Sequence, residues 1–336
     1  MNGASQSPHL PQSPVAEHVP VMLDEVLEVL APRDGATYVD ATFGAGGYSK
    51  ALLESAACAV FGIDRDPAAI KRGAVLQSRY PGRLTVLTGC FGDMADILDR
   101  EGVAKVDGVA FDLGVSSPQI DDPERGFSFR YDGPLDMRMG NDGLSAADVV
   151  NHTEENELAD IIYNFGEERA SRRIAHAIVE GRSKSPLTRT GQLADLIRGV
   201  VSRSRDGIDP ATRTFQALRI YVNNELGELD HGLAAAEKVL GPGGRLAVVS
   251  FHSLEDRRVK EFLRLRSGGA PHASRHMPMA ETNPPAPTFR LLRRGALKPS
   301  PKETAANPRA RSARLRAAER IDAPSWSADP DARKAA

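Results

Sequence analysis

The sequence predicts an α/β protein: a doubly wound, Rossmann-like parallel sheet with a helical insertion between its fourth and fifth strands. Three observations lead there. From Thr37 onward, short runs rich in β-forming residues alternate with helix-length amphipathic stretches. A glycine cluster, Phe43-Gly-Ala-Gly-Gly47, separates the first such run from the first helical stretch. Finally, about 125 residues separate the fourth strand from the fifth, more than a structureless loop inside a compact domain holds.

Strands are predicted at Thr37–Thr42, Ala59–Asp64, Arg83–Thr88, Val106–Asp112 and Gly244–Phe251, and helices near 46–56, 67–79 and 92–101. Right-handed crossovers bring every strand C-terminus to one edge, where ligands bind. Within the long interval, Asn151–Phe165 reads as a helix opening on a Thr153 cap followed by Glu residues. Glu168–Glu180 places Ile174, Ala177 and Ile178 at helical spacing, and Gly191–Val201 and Thr212–Val239 are helix-like. These segments delimit an expected insertion domain at 120–222, leaving 18–119 and 223–320 to the sheet domain. Residues 267–289, dense in Gly and Pro, read as a mobile loop. Thr288–Gly295 is expected to add a final antiparallel strand, ahead of an arginine-dense return over Asn307–Arg320. Residues 1–17 and 321–336 read as disordered tails.

Of the 336 residues, 41% are hydrophobic, enough for one large core or for a core domain and a smaller one. The longest apolar runs, such as Leu246–Ser250, are strand-sized, so no membrane span is expected. The first 17 residues lack the basic start and apolar block of a signal peptide. Cys58 and Cys90 read as reduced, packed thiols, and the expected compartment is the cytoplasm. The two cysteines form no Cys-x-x-Cys pair and no set of zinc ligands stands out, so no metal is expected. The net charge of −2 hides an asymmetry: residues 257–320 carry 16 Lys or Arg against 4 Glu and no Asp. The stretch 164–220 adds 11 Lys or Arg against 6 acids. Two readings stand, a polyanionic partner such as nucleic acid and a solvated face.

The glycines at 43–47 permit a tight turn and close backbone approach by a ligand. Eighteen residues after Gly46, Asp64 ends the second strand, where an acid accepts both hydroxyl hydrogens of a ribose. Ser49 stands in place of the third glycine of a dinucleotide fingerprint, and nothing downstream resembles a hydride-transfer site. S-adenosylmethionine brings instead a cationic sulfur and an amino-acid tail, which suit acids such as Asp112 at the mouth of the fourth strand. Phe91, just after the third strand, is placed either against an adenine ring or in the core.

Methyl transfer is an in-line displacement that asks a protein for alignment and desolvation rather than for a catalytic triad. The loop Asp112-Leu-Gly-Val-Ser116-Ser117-Pro118-Gln119 suits that chemistry, since a proline stiffens it and two hydroxyls and an amide can orient an amino lone pair. It is similar to the Asp/Asn-Pro-Pro-aromatic loop of amino-methyltransferases but lacks the second proline and the aromatic. Phe127, Phe129 and Tyr131 are the candidates for stacking on a base in its place.

Nearly the whole chain, from His18-Val-Pro-Val-Met-Leu-Asp-Glu to Ala-Glu-Arg320, resembles the ribosomal RNA small subunit methyltransferase H family. The resemblance runs in order through Asp40-Ala-Thr-Phe-Gly-Ala-Gly-Gly-Tyr-Ser, Gly62-Ile-Asp-Arg-Asp-Pro, the 112–119 loop and Gly133-Pro-Leu-Asp-Met-Arg-Met. It continues through Pro210-Ala-Thr-Arg-Thr-Phe-Gln-Ala-Leu-Arg-Ile, Ser250-Phe-His-Ser-Leu-Glu-Asp-Arg and Asn307-Pro-Arg-Ala-Arg-Ser. It implies a class I methyltransferase sheet with a helical insertion, S-adenosylmethionine as cofactor, and methylation of the N4 amine of a decoding-site cytidine in 16S ribosomal RNA of the small subunit. It implies cofactor contacts at Gly46, Gly47, Tyr48, Asp64, Phe91, Asp112 and Gln119. Tyr48 stands where many members carry histidine, and a backbone contact survives that change.

Ser116, Ser117 and Pro118 are the candidates for aligning the amine. His252, after the fifth strand, either faces the base and relays its proton or is a hydrogen-bonded structural residue. Glu255 and Asp256 read as capping acids, and Asp136 with Arg138 as an ion pair in a folded loop. Arg213, Arg219, Arg309, Arg311 and Arg314 are candidate phosphate contacts. Two other readings remain: a non-catalytic ribosome-assembly factor, and a DNA amino-methyltransferase with the same acceptor chemistry. The oligomeric state is open, a homodimer included.

Overall fold

The computed structural model describes residues 20–203, 207–269 and 285–326. The 1–17 tail, most of the 267–289 loop and residues 327–336 therefore lie outside the described residues. Seven strands form one sheet: β1 Thr37–Asp40, β2 Ala59–Asp64, β3 Leu84–Thr88, β4 Val106–Asp112, β5 Leu240–Ser250, β6 Phe289–Leu291 and β7 Arg314–Arg320. Their spatial order is β3-β2-β1-β4-β5-β7-β6. Strands β1 to β5 are parallel, while β7 runs antiparallel to both β5 and β6. The order reverses between β1 and β4, so the C-terminal ends of these two strands frame the switch point.

Helices cover both faces. Side chains alternate along each strand, so Val39, Phe111 and Val248 meet one layer while Tyr38, Ala110 and Ala247 meet the other. The first layer holds α4 (Met94–Arg100), α11 (Glu225–Val239) and α12 (Ser253–Arg266), and the second holds α1 (Leu23–Leu30), α2 (Gly47–Ser55) and α3 (Pro67–Gln77). Phe43 is buried in a cage of glycines: a Cβ on Gly46, Gly62 or Gly73 would come within 2.7, 2.3 or 3.0 Å of its ring. That ring fixes where the turn after β1 meets β2 and α3.

Between β4 and α11 the chain forms a short α5 (Ser117–Asp121), then α6 (Ala146–His152), α7 (Glu155–Gly166), α8 (Ser171–Lys184), α9 (Thr190–Val200) and α10 (Ala211–Val222). Buried residues from Leu135 to Leu218 form a hydrophobic cluster of their own. A last helix, α13 (Pro301–Ala306), precedes β7. Three local expectations change. Thr153 ends α6 rather than capping α7, whose N-cap is Glu154. The helix expected over Thr212–Val239 breaks at Asn224, which takes a left-handed conformation (φ 47°) and turns α11 toward the sheet. Ile321–Trp326 is held against the core: the Trp326 ring lies 3.9 Å from the Arg266 guanidinium, and its Nε1 donates to the Ala286 carbonyl at 2.8 Å. Among the described residues no helix is long and apolar enough to cross a membrane.

Candidate active site

At the switch point the strand ends open into a cavity of about 360 Å³, within the range of cofactor sites. One wall is the glycine turn. Gly44 (φ 54°) donates its N–H to Asp64 Oδ2 at 2.7 Å, and Asp66 N donates to Oδ1 at 2.8 Å, so the acid at the end of β2 closes the turn. Gly44, Gly47, Tyr48, Asp64, Phe91, Asp112 and Gln119 line the cavity, which brings six of the seven expected cofactor residues together. Gly46 does not line it. Gly46 (φ 78°) lies beneath the turn, where a Cβ would meet Leu76 and Phe43 at 2.7 Å, so its work is backbone shape.

The neighbouring contacts explain the rest of the wall. A Cβ on Gly47 would sit 2.1 Å from Pro20, so only glycine lets the N-terminal segment lie over the start of α2. Tyr48 is buried and its hydroxyl donates to the Val21 carbonyl at 2.5 Å; the side chain pins that segment. Phe91 packs edge-on against Phe111 at 5.4 Å and needs the bare Cα of Gly232, where a Cβ would come within 2.5 Å of its ring. The ring is thereby fixed against α11 at the cavity wall.

A row of acids crosses the floor on neighbouring strand ends: Asp40 on β1, Asp112 on β4 and Glu255 just beyond β5. Asp40 is buried; its Oδ2 accepts from Ser49 N at 3.1 Å and Ser49 Oγ at 2.7 Å, while Oδ1 has no partner among the described residues. Burial pushes its carboxyl up to about 6. Asp112 also has an unpartnered Oδ1, and burial, reinforced by Asp40 and Glu255, pushes its carboxyl well above the usual range. Unpaired carboxylate oxygens in a desolvated cavity are costly, and a cationic ligand relieves that cost. The donor set therefore fits a sulfonium or ammonium group.

The loop after β4 is stitched from two sides. Gln119 accepts from Ser116 N at 2.9 Å and donates Nε2 to Asp66 Oδ2 at 2.9 Å. Asp66, itself buried, also caps α3 through Ala68 N at 2.9 Å and receives Arg125 Nη1 at 3.0 Å. Arg125 in turn holds the carbonyls of Arg138 and Met139 at 3.0 Å. From outside, Arg309 donates to Ser117 Oγ at 2.6 Å and pairs with Asp121 at 2.5 Å. Ser116 Oγ is buried with no partner among the described residues, and Ser116, Ser117 and Pro118 all line the cavity.

Several expected roles move. Phe127 and Phe129 pack against the helical cluster, Phe129 edge-on to Phe215 at 4.8 Å, so neither is offered to a base; Tyr131 is 62% exposed but does not line the cavity. Arg219 is not placed as a surface phosphate contact. It is mostly covered at the cavity wall, its side chain 16% exposed, in a bidentate pair with Glu225, both bonds 2.8 Å. Arg213 is half exposed and faces Glu168 at 3.9 Å, and Arg314 donates to the Ala313 carbonyl at 2.9 Å. Arg311 is exposed with no partner among the described residues, which suits a phosphate contact. His252 caps α12 and sits with Nε2 3.1 Å from Glu255 Oε1; Glu255 lines the cavity whereas His252 does not. Asp136 and Arg138 pair at 2.7 Å, and Asp256 pairs with Arg316 at 2.8 Å. Sequence reasoning missed Asp40, Asp66 and Glu255 as site residues. Asp40 had a usable signal, since it ends the first strand directly before the glycine turn.

Comparison with known proteins agrees with this geometry. Residues 15–321 match the model of the MraW methylase family. A ribosomal RNA small subunit methyltransferase H from Rhodospirillum centenum is 64% identical over 307 residues, covering 91% of this chain and 93% of that protein. Another, from Rhodospirillum rubrum, is 60% identical over 317 residues, covering 93% and 97%. A solved rRNA methylase from Streptococcus thermophilus overlays 89% of this chain and 94% of that one with a TM-score of 0.39 at 11% identity, too remote a likeness to argue from. With a family match across nearly all of its described residues and relatives at such identity, the chain belongs to the MraW methylase family.

Proposed function

We propose that the protein is an S-adenosylmethionine-dependent methyltransferase that modifies 16S ribosomal RNA of the small ribosomal subunit, at the N4 amine of a decoding-site cytidine. The observation that carries the reading is the cavity at the switch point, with unpartnered oxygens of Asp40 and Asp112 facing a space of cofactor size. When bound, S-adenosylmethionine supplies an electrophilic methyl carbon on a sulfonium. Asp64 and the Gly44 turn would hold its ribose, Phe91 its adenine, and Asp40 and Asp112 its positive charge. Gln119, fixed to Asp66, sets the backbone of Ser116, and Arg309 sets Ser117, so the loop presents hydroxyls and carbonyls at fixed positions to an incoming amine. Alignment and exclusion of water are what an in-line displacement requires of these residues.

A cytidine N4 is paired in duplex RNA, so the target base must be unpaired or flipped to reach the cavity. The basic residues beyond β5, Arg311 among them, support the RNA reading by holding backbone phosphates near the mouth. The names carried by the curated relatives support the same substrate. The test is transfer of labelled methyl from S-adenosylmethionine to small subunits from a strain lacking this gene, with the modified nucleoside mapped by mass. Transfer to one cytidine N4 is expected. No transfer, or transfer to duplex DNA alone, refutes the reading.

A further inference from the structure

Glu255, expected from sequence to be a helix-capping acid, is buried at the cavity wall. Arg219 from α10, Glu225 at the start of α11 and His252 surround it. Glu225, His252 and Glu255 bring ligand atoms within 4.8 Å of one another. The positive charge among them is Arg219, whose Nε and Nη2 are spent on Glu225 while Nη1 makes no hydrogen bond among the described residues. Glu255 Oε2 accepts from Phe251 N at 2.7 Å and His252 N at 3.3 Å. His252 Nε2 lies 3.1 Å from Oε1 but is not aligned for a hydrogen bond.

The acids of the cavity divide by what neutralises them. Asp40 and Asp112 are pushed toward the protonated form by burial and await an external cation. Asp64 has both oxygens on backbone N–H groups, Glu228 accepts from Gly92 N at 3.3 Å, and Glu225 is locked to Arg219. Burial opposes ionisation of Glu255 as well, but the close approach of the His252 ring, then Arg219 and the Phe251 N–H, outweigh it and hold this carboxyl below its usual range. Glu255 is therefore ionised without help from a cofactor. The charged and titratable groups facing it are His252 on its own helix, Arg219 on α10, Glu225 on α11 and Asp112 on β4.

We propose that Arg219, Glu225, His252 and Glu255 form the subsite for the amine-bearing base, with Glu255 accepting the proton that the amine loses. The proposal rests on the methyltransferase reading. In the step, the amine lone pair forms the new N–C bond as the C–S bond of the sulfonium donor breaks and its electron pair stays on sulfur. The methylated nitrogen, now cationic, keeps the electron pair of one N–H bond and passes the proton to the Glu255 carboxylate. The proton then stays on the Glu255 carboxyl until the methylated base leaves and water entering the cavity takes it. A cationic exocyclic amine is acidic enough that a carboxylate of low pKa suffices. Nη1 of Arg219 is a free donor suited to the ring nitrogen or carbonyl of a cytosine.

The test is single-turnover methylation of small subunits by Glu255→Gln, with affinities for S-adenosylmethionine and for RNA measured separately. Glutamine preserves the acceptor for Phe251 N and cannot take a proton. The expected result is a rate loss of about 100-fold or more, affinities within about twofold of wild type, and a Glu255→Ala variant partly rescued by added formate. Wild-type transfer alongside an equally fast Glu255→Gln overturns this inference alone. A matching loss of cofactor affinity, or no rescue by formate, also overturns it and makes Glu255 architectural. Absent wild-type transfer overturns the methyltransferase reading and this inference with it.

Discussion

Replacing Asp40 by Asn should stabilise the ligand-free protein while weakening its hold on S-adenosylmethionine. Asp40 is 1% exposed, one oxygen is unpartnered, and burial pushes its carboxyl from 3.8 to about 6. An acid whose pKa is higher folded than unfolded favours folding below the unfolded value and loses that contribution as the pH rises through the folded one. For Asp40 the loss begins near pH 4 and is complete by about pH 7. Two pKa units at 1.36 kcal/mol each put it at about 3 kcal/mol. Asparagine keeps a carbonyl for the Ser49 N–H and hydroxyl and has no charge to desolvate. At neutral pH the variant should melt a few degrees higher than wild type, and the gap should close near pH 4. Calorimetric titration should show cofactor affinity reduced about tenfold or more, because a charge facing the ligand is gone. An equal or lower Tm at neutral pH, or unchanged affinity, would refute the assignment of Asp40 as an acid held in readiness for a cation.

Asp66→Ala should cost about 3–5 kcal/mol in urea unfolding, because it leaves Arg125 and the Gln119 amide without their buried partner and removes the α3 cap. Phe129→Ala should lower stability by about 2–3 kcal/mol through its contact with Phe215, with RNA affinity measured at equal folded fraction unchanged. Arg311→Ala should leave the melting temperature alone, weaken RNA binding, and reduce the slope of log affinity against log salt by about one.

The sheet was legible because its strands are apolar runs punctuated by glycine turns, and because Asp64 and Asp112 end two of them where a doubly wound order places a ligand. What sequence cannot show is the side of an element on which a charge falls. Arg219 looked like a phosphate contact and Glu255 like a cap; Glu255 does complete the capping box of α12, but folding also turns both toward the cavity, Arg219 onto Glu225 and Glu255 beside His252. Phe127 and Phe129 sit in a stretch rich in Gly, Ser and Arg that reads as exposed loop, yet residues from helices later in the chain cover them. The break between α10 and α11 was invisible because Asn224 is an ordinary residue until its backbone is seen in the left-handed region. Asp66 was passed over because its partners, Gln119 and Arg125, are 53 and 59 residues away.

The order of the strands also bears on how this chain is made. The strand Arg314–Arg320 sits inside the sheet, between β5 and β6, although it is the last of the seven in sequence. As the polypeptide emerges from its N-terminus, β1 to β5 can associate while the outer edge of β5, buried in the finished protein, has no neighbour. A nascent or prematurely terminated chain therefore exposes a bare, apolar strand edge, the kind that recruits other chains. Quality control during synthesis thus has a single late event to wait for, the docking of seven residues, and a message truncated just upstream of them should yield aggregates rather than a weakened enzyme.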